Sequence, residues 1–187
     1  MIQILGQHEL EKHINKGGKV YSHLISIGNP GKGRKNRPDY ILPKLFKQTF
    51  KSILRLEFYD VESKSHLVKG QKKRIPQKRD VKKIIRYYNK TKNRATGYTI
   101  HCWRGVARST AVGLIILYLM YKDEQKATQK LAKIRRQAMP HKGMIEHFDN
   151  IMGTNLSYYR EKLWKERIEI IRKELEEDLI EELEVVE

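Results

Sequence analysis

The chain has 187 residues, a formal net charge of +17 and one cysteine. This length can bury a hydrophobic core without metals, and a single cysteine excludes an internal disulfide. The longest apolar run, residues 111–121, is shorter than the roughly 20 residues that span a bilayer, and we see no signal peptide, so we expect a soluble cytoplasmic protein with no membrane span.

The predicted elements alternate between helix and strand. In chain order they are a helix over 7–15, strands over 21–27 and 53–58, a helix over 77–93, a strand over 97–101, and helices over 109–122, 123–139 and 143–152. Such alternation predicts an α/β fold, in which a mostly parallel central sheet of about four to five strands is flanked by helices. Asp123 is the predicted cap of the penultimate helix of this series.

The last segment differs in character from the rest. Residues 155–187 carry apolar residues spaced by three and four, which predicts one long amphipathic helix; they are Ile168, Ile171, Leu175, Leu179 and Leu183. We therefore divide the chain into an α/β domain over 1–153 and an acidic helical extension over 154–187. We expect the extension to pack either on the α/β domain or on a second copy of the chain, and in the second case the protein would be a homodimer.

The charge is unevenly distributed along the chain. The last fourteen residues hold eight acids and no base, which leaves +25 on the first 173 residues, and residues 69–94 contain twelve Lys or Arg and one acid, Asp80. A body this basic is expected to attract polyanions such as phosphorylated proteins, nucleic acid or an anionic membrane surface. The alternative is a solvated, highly charged surface without a specific partner.

The most informative segment reads His-Cys-Trp-Arg-Gly-Val-Ala-Arg-Ser-Thr over residues 101–110. It lies between a predicted strand and an apolar helix, where backbone N–H groups and the helix dipole favour an anion. A thiol at Cys102 would there be stabilised as thiolate. Gly105 permits a tight backbone path, and Arg108 can grip two phosphate oxygens. The segment predicts a phosphate loop with a nucleophile.

Other residues of the loop have more than one interpretation. Ser109 can donate a hydrogen bond to the sulfur, or it simply begins the helix. Arg104 either reaches a polyanionic substrate or points to solvent. Trp103 either flanks the pocket or packs under the loop, and we favour packing.

The pattern His-Cys-x-x-Gly-x-x-Arg-Ser resembles the phosphate-binding signature of the protein-tyrosine-phosphatase superfamily, and most nearly its dual-specificity and bacterial branches. The resemblance implies that Cys102 is the nucleophile and Arg108 the phosphate clamp, with Ser109 assisting. The remaining loop residues would bind substrate, largely through their backbone amides; they are His101, Trp103, Arg104, Gly105, Val106 and Ala107. His101 would tune the environment of the thiolate rather than act as a base.

The resemblance extends downstream of the loop and covers roughly residues 21–153. The segment from Arg135 to Ile145 is similar to one where the family places an arginine, a proline and usually an asparagine that braces the loop. His141 stands where that asparagine is expected. The resemblance does not cover the C-terminal helix.

The implied reaction needs a general acid for the leaving oxygen. Three aspartates are candidates: Asp60 follows a predicted strand, as the family's acid does, Asp80 lies near the start of a basic helix, and Asp39 lies in a basic loop. We favour Asp60 and keep the other two open.

The sequence thus predicts a phosphatase that acts on phosphotyrosine alone, or on phosphoserine and phosphothreonine as well, through a phosphocysteine and with no cofactor or metal. Two alternatives stay open. One is the same chemistry on RNA 5′-phosphates or another polyanion, and the other is a phosphate-binding module with weak catalysis.

Overall fold

The computed structural model describes residues 1–30, 49–61 and 74–184, with side chains throughout except at 170, 171 and 173–184. These residues form four strands and six helices. In chain order they are β1 (Ile2–Gly6), α1 (Gln7–Asn15), β2 (His23–Gly28), β3 (Ser52–Glu57), α2 (Lys78–Thr91), β4 (Tyr98–Cys102), α3 (Arg108–Tyr121), α4 (Glu124–Ile134), α5 (Lys142–Met152) and α6 (Leu156–Glu184).

The described strands form one parallel sheet in the order β1-β4-β2-β3. This confirms the predicted α/β fold with a parallel sheet flanked by helices. Because all strands run the same way, their carboxyl ends lie at one edge of the sheet, where Gly6 pairs with Cys102 and Gly28 with Glu57. Ligands of open parallel sheets bind at this edge.

Strand β1 was not predicted from the sequence. It has only five residues at the start of the chain, and its side chains alternate between buried and half-buried. So short a pattern does not separate a strand from an irregular terminus. Pairing with β4 from Ile2–Tyr98 to Gly6–Cys102 holds it in the sheet, so its strand structure depends on a tertiary contact.

Helix α3 is the centre of the core. It packs against the sheet and against α2, α4 and α5, and side chains from Ala111 to Leu117 are buried without a break. A helix surrounded on all sides needs apolar residues on all faces. The continuous apolar run in the sequence therefore reflects burial and not a membrane helix, and no helix in the described part of the chain is long and apolar enough to cross a bilayer.

Helix α4 is shorter than predicted. Asp123 caps it as expected, because its side chain accepts a hydrogen bond from Lys126 N at 2.8 Å. The helix ends at Ile134 and not at Met139, because Arg135 leaves the helical conformation with φ −140° and ψ 96°. The five residues that the prediction counted as helix instead turn the chain back toward the end of β4.

Helix α6 packs on the body through its first turns. Asp149 accepts hydrogen bonds from Leu156 N and Ser157 N, both at 2.9 Å, and so caps the helix. Leu156 and Leu163 are buried. Ile168, the first residue of the predicted apolar stripe, is 52% exposed, and the side chains of the later stripe residues lie outside the described part.

Candidate active site

Cys102 is the last residue of β4 and lies at the base of a loop, residues 103–107, that leads into α3. We call this segment the Cys102 loop. The Cys102 side chain is buried, and its Sγ atom lies 3.3 Å from Gly105 N and 3.3 Å from Ser109 Oγ. The Gly105 N–H donates to the sulfur, and the Ser109 hydroxyl is placed where it can donate as well. With the start of a helix nearby, this arrangement suits an anion at the sulfur.

Gly105 is required by the shape of the Cys102 loop. Its φ is +73°, a conformation that residues with a side chain rarely adopt. A Cβ atom placed there would lie 2.5 Å from Gly6 N and 2.7 Å from the carbonyl carbon of Leu5. The loop therefore runs directly against the end of β1, and only glycine fits between them.

Arg108 is buried under the carboxyl edge of the sheet, with 4% of its surface exposed. Its Nη1 atom donates to Asn29 Oδ1 at 2.8 Å and to the backbone oxygen of Phe58 at 3.0 Å. These acceptors directly follow β2 and β3. The guanidinium group is thus oriented by the ends of two neighbouring strands, while its Nε atom lies 3.6 Å from Asp60 Oδ2.

The three candidate acids have different environments. Asp60 lies after β3 beside Arg108 and is 38% exposed, which suits a group that meets both substrate and water. Asp80 is fully buried, pairs with Arg74 Nη2 at 2.8 Å and accepts from Gln77 N at 3.1 Å. Asp80 therefore stabilises the start of α2. Asp39 lies outside the described residues.

His101 is fully buried directly before Cys102. Desolvation, and secondarily the positive charge of Arg108, lower the pKa of His101 from its ordinary value of 6.5 to about 3. The imidazole is therefore neutral at physiological pH. This agrees with a residue that shapes the surroundings of the sulfur and does not carry charge.

Arg135 and Glu9 brace the outer side of the Cys102 loop. Arg135 donates from Nε to the Gly105 oxygen at 3.1 Å and from Nη2 to the Arg104 oxygen at 3.2 Å. The Glu9 carboxylate pairs with Arg135 Nη1 at 3.0 Å and also accepts from Gly6 N. The start of α1 is thereby connected to the loop.

The segment after α4 supports the other end of the loop. Met139 N donates to the Val106 oxygen at 3.0 Å, and His141 N donates to the Ala107 oxygen at 3.2 Å. The His141 ring is buried, and its Nε2 atom lies 3.1 Å from the Val61 oxygen. His141 thus contacts the Cys102 loop through its backbone and the segment that carries Asp60 through its ring.

Trp103 and Arg104 both lie at the surface. Trp103 is 55% exposed, and its ring meets that of His8 edge-on with centroids 5.7 Å apart. The expectation that Trp103 packs under the loop is therefore wrong, because Gly105 and Gly6 leave no space between the loop and β1. Arg104 is exposed as well and contributes its backbone oxygen to the Arg135 brace.

Two residues of the site were not predicted from the sequence. Asn29 was not among the predicted site residues, although it follows a buried strand at the carboxyl edge of a parallel sheet, which is a usable signal. Glu9 lies about 90 residues before the Cys102 loop in the chain, and only the pairing of β1 with β4 brings it to the loop. No group of three His, Cys, Asp or Glu side chains that could hold a metal occurs among the described residues.

Comparison with solved structures identifies the fold. Tk-PTP in its active form matches with a TM-score of 0.51 and 16% identity over 83% of this chain and 88% of that one. DUSP15 matches with a TM-score of 0.52 and 14% identity over 88% of this chain and 90% of that one. PTPMT1 matches with a TM-score of 0.52 and 13% identity over 90% of this chain and 95% of that one. No family model and no curated protein matches the sequence. The chain thus has the fold of the tyrosine and dual-specificity phosphatases.

Proposed function

We propose that this chain is a cysteine-dependent phosphatase that hydrolyses phosphate monoesters, phosphotyrosine first and phosphoserine or phosphothreonine as well. The observation that carries the proposal is the convergence on Cys102 Sγ of Gly105 N and Ser109 Oγ, each at 3.3 Å, beside a buried arginine. The fold shared with Tk-PTP and DUSP15 supports a phosphatase.

In the first step the Cys102 thiolate attacks phosphorus. A sulfur–phosphorus bond forms, the ester bond breaks, and the leaving oxygen takes its electron pair together with a proton from Asp60. The backbone N–H groups of the Cys102 loop and the guanidinium of Arg108 stabilise charge on the three remaining oxygens. Asn29 orients that guanidinium through its 2.8 Å hydrogen bond.

In the second step water hydrolyses the phosphocysteine. Asp60, now a carboxylate, takes a proton from the water as its oxygen bonds to phosphorus. The sulfur–phosphorus bond breaks and the sulfur leaves as a thiolate, which the Ser109 hydroxyl stabilises by a hydrogen bond from 3.3 Å. Inorganic phosphate then leaves and the enzyme returns to its starting state. Every proton and electron pair in this cycle is supplied by the chain or by water.

Hydrolysis of p-nitrophenyl phosphate in the presence of EDTA tests the proposal. We expect full activity in the chelator and none in Cys102→Ser. Arg108→Lys is expected to lose most of its activity, because an ammonium cannot replace a bidentate guanidinium. Binding of a phosphopeptide without turnover by the wild type would instead support a phosphate-binding module, and strict metal dependence would contradict the mechanism.

A further inference from the structure

The exposed side of α2 carries only positive charge. Six bases of this helix are exposed, and they are Lys78, Arg79, Lys82, Lys83, Arg86 and Lys90. At about 100° per residue these positions lie within an arc of roughly 140°, opposite the buried Val81, Ile84 and Tyr88. The one acid of α2, Asp80, is buried and paired with Arg74, so it does not neutralise the surface. We call these six residues the α2 basic stripe.

The charges of the α2 basic stripe lower the stability of α2 itself. Lys78 and Arg79 occupy the first turn, where the positive end of the helix dipole repels bases. Four like-charged pairs are spaced by four residues, from Lys78–Lys82 to Arg86–Lys90, and no oppositely charged pair has this spacing. Charges that destabilise their own helix are expected where they bind a partner rather than stabilise the fold.

Two other charged helices of the described chain do not share this pattern. Residues 122–134, which include α4, carry four bases and two acids, and residues 156–169 of α6 carry four bases and three acids. A chain that was basic only for solubility would not be expected to concentrate unmixed charge on one helix. Unmixed positive charge thus distinguishes α2 from these two helices.

We propose that the α2 basic stripe binds the phosphate backbone of a nucleic-acid duplex without reading its sequence. The stripe is about 18 Å long at 1.5 Å per residue, a length over which a duplex presents roughly ten phosphates. None of the exposed large hydrophobic side chains in the described chain lies on α2. The stripe thus has no apolar anchor for a membrane and no exposed aromatic ring on which unpaired bases could stack.

Fluorescence anisotropy with a labelled duplex tests the proposal. The duplex has 5′-hydroxyl ends, so the Cys102 site has no terminal phosphate to engage. We expect the logarithm of the association constant to fall with the logarithm of salt concentration at a slope of about −5, since six contacted phosphates give about −0.9 each. Two unrelated sequences should bind equally well.

Matched variants assign the binding to α2. Lys82→Gln/Lys83→Gln/Arg86→Gln removes three charges from the stripe and should reduce the slope to about −3. Lys126→Gln/Lys130→Gln/Lys133→Gln removes three exposed charges from α4 and should leave it near −5. Hydrolysis of p-nitrophenyl phosphate should be unchanged in both, which also verifies folding; should the triple α2 variant not fold, Lys82→Gln alone is expected to lower the magnitude of the slope by about 1.

Three results would overturn the proposal. An equal reduction of the salt-dependence slope in both triple variants would indicate a general effect of net charge. An unchanged slope in the α2 variant would place any binding elsewhere. Binding to vesicles of anionic phospholipid with no measurable binding to either duplex would assign the stripe to a membrane surface.

Discussion

Arg108 and Asp60 meet at the carboxyl edge of the sheet, with Arg108 Nε 3.6 Å from Asp60 Oδ2. Arg108 begins α3 and Asp60 follows β3. The two residues are 48 positions apart in the chain. Their proximity puts a carboxyl group beside the guanidinium that is proposed to hold phosphate. This relationship distinguishes Asp60 from the fully buried Asp80.

Asp60→Asn should lower kcat toward esters with poor leaving groups by about 10²- to 10³-fold, since general acid catalysis supplies an effect of that order. The loss should be smaller for p-nitrophenyl phosphate, whose leaving group needs little help. Steady-state kinetics with both substrates measures the difference. The control is Asp80→Ala, which should cost about 3 kcal/mol of stability by leaving Arg74 unpaired while the folded protein keeps its kcat. The reverse outcome would make Asp80 the acid.

Gly105→Ala should abolish most activity and destabilise the protein. The new Cβ would meet Gly6 N at 2.5 Å in a backbone with φ +73°, so the Cys102 loop must move. Gly153→Ala is the matched control, because Gly153 has φ +68° and nothing within 4 Å. Chemical denaturation should show Gly105→Ala about 2 kcal/mol less stable than the control. Equal stability together with full activity in both variants would show that the loop does not depend on this glycine.

Glu9→Gln should weaken substrate binding through the loop, because Arg135 loses its charged partner. The pair is half-exposed, so about 1 kcal/mol is an upper limit, which is roughly a fivefold loss in kcat/KM. Glu11→Gln on the same helix should have no such effect. In an Arg135→Gln background the Glu9 substitution should add nothing. Additive losses in the double variant would mean that Glu9 acts independently of Arg135.

His101 should make the protein less stable as the pH falls from about 6.5 toward 3. The unfolded chain binds a proton at its ordinary pKa of 6.5, whereas burial holds the native pKa at about 3, so protons favour the unfolded state throughout that window. The His101→Gln variant should lack this pH-dependent loss in the free energy of unfolding, which is of the order of 1 kcal/mol per pH unit. Urea denaturation at several pH values measures it, with the exposed His8→Gln as control. Parallel profiles for wild type and His101→Gln would contradict the buried neutral imidazole.

The sequence predicted the part of the site that is local in the chain. A strand, a glycine-containing turn and an apolar helix follow each other within residues 98–121, so Cys102, Gly105 and Arg108 share one neighbourhood by covalent connection alone. The parallel sheet followed from the alternation of elements, because parallel strands need crossovers.

The parts that the sequence did not predict depend on distant contacts. Asn29, Glu9 and the strand β1 reach the site only through sheet register, which the one-dimensional pattern does not encode at this length. The exposure of Trp103 likewise follows from the close approach of Gly6 to Gly105, a contact between residues 99 positions apart.

Trapping of the intermediate tests the central claim most directly. Wild type and Asp60→Asn are mixed with p-nitrophenyl phosphate in EDTA, quenched in acid within the first turnovers, and analysed by peptide mass spectrometry. The proposed mechanism predicts that one phosphoryl group is added to the peptide that contains Cys102, and that more accumulates in Asp60→Asn because its second step lacks a base. Turnover by the wild type without phosphate on Cys102, or phosphate on another residue, would contradict it.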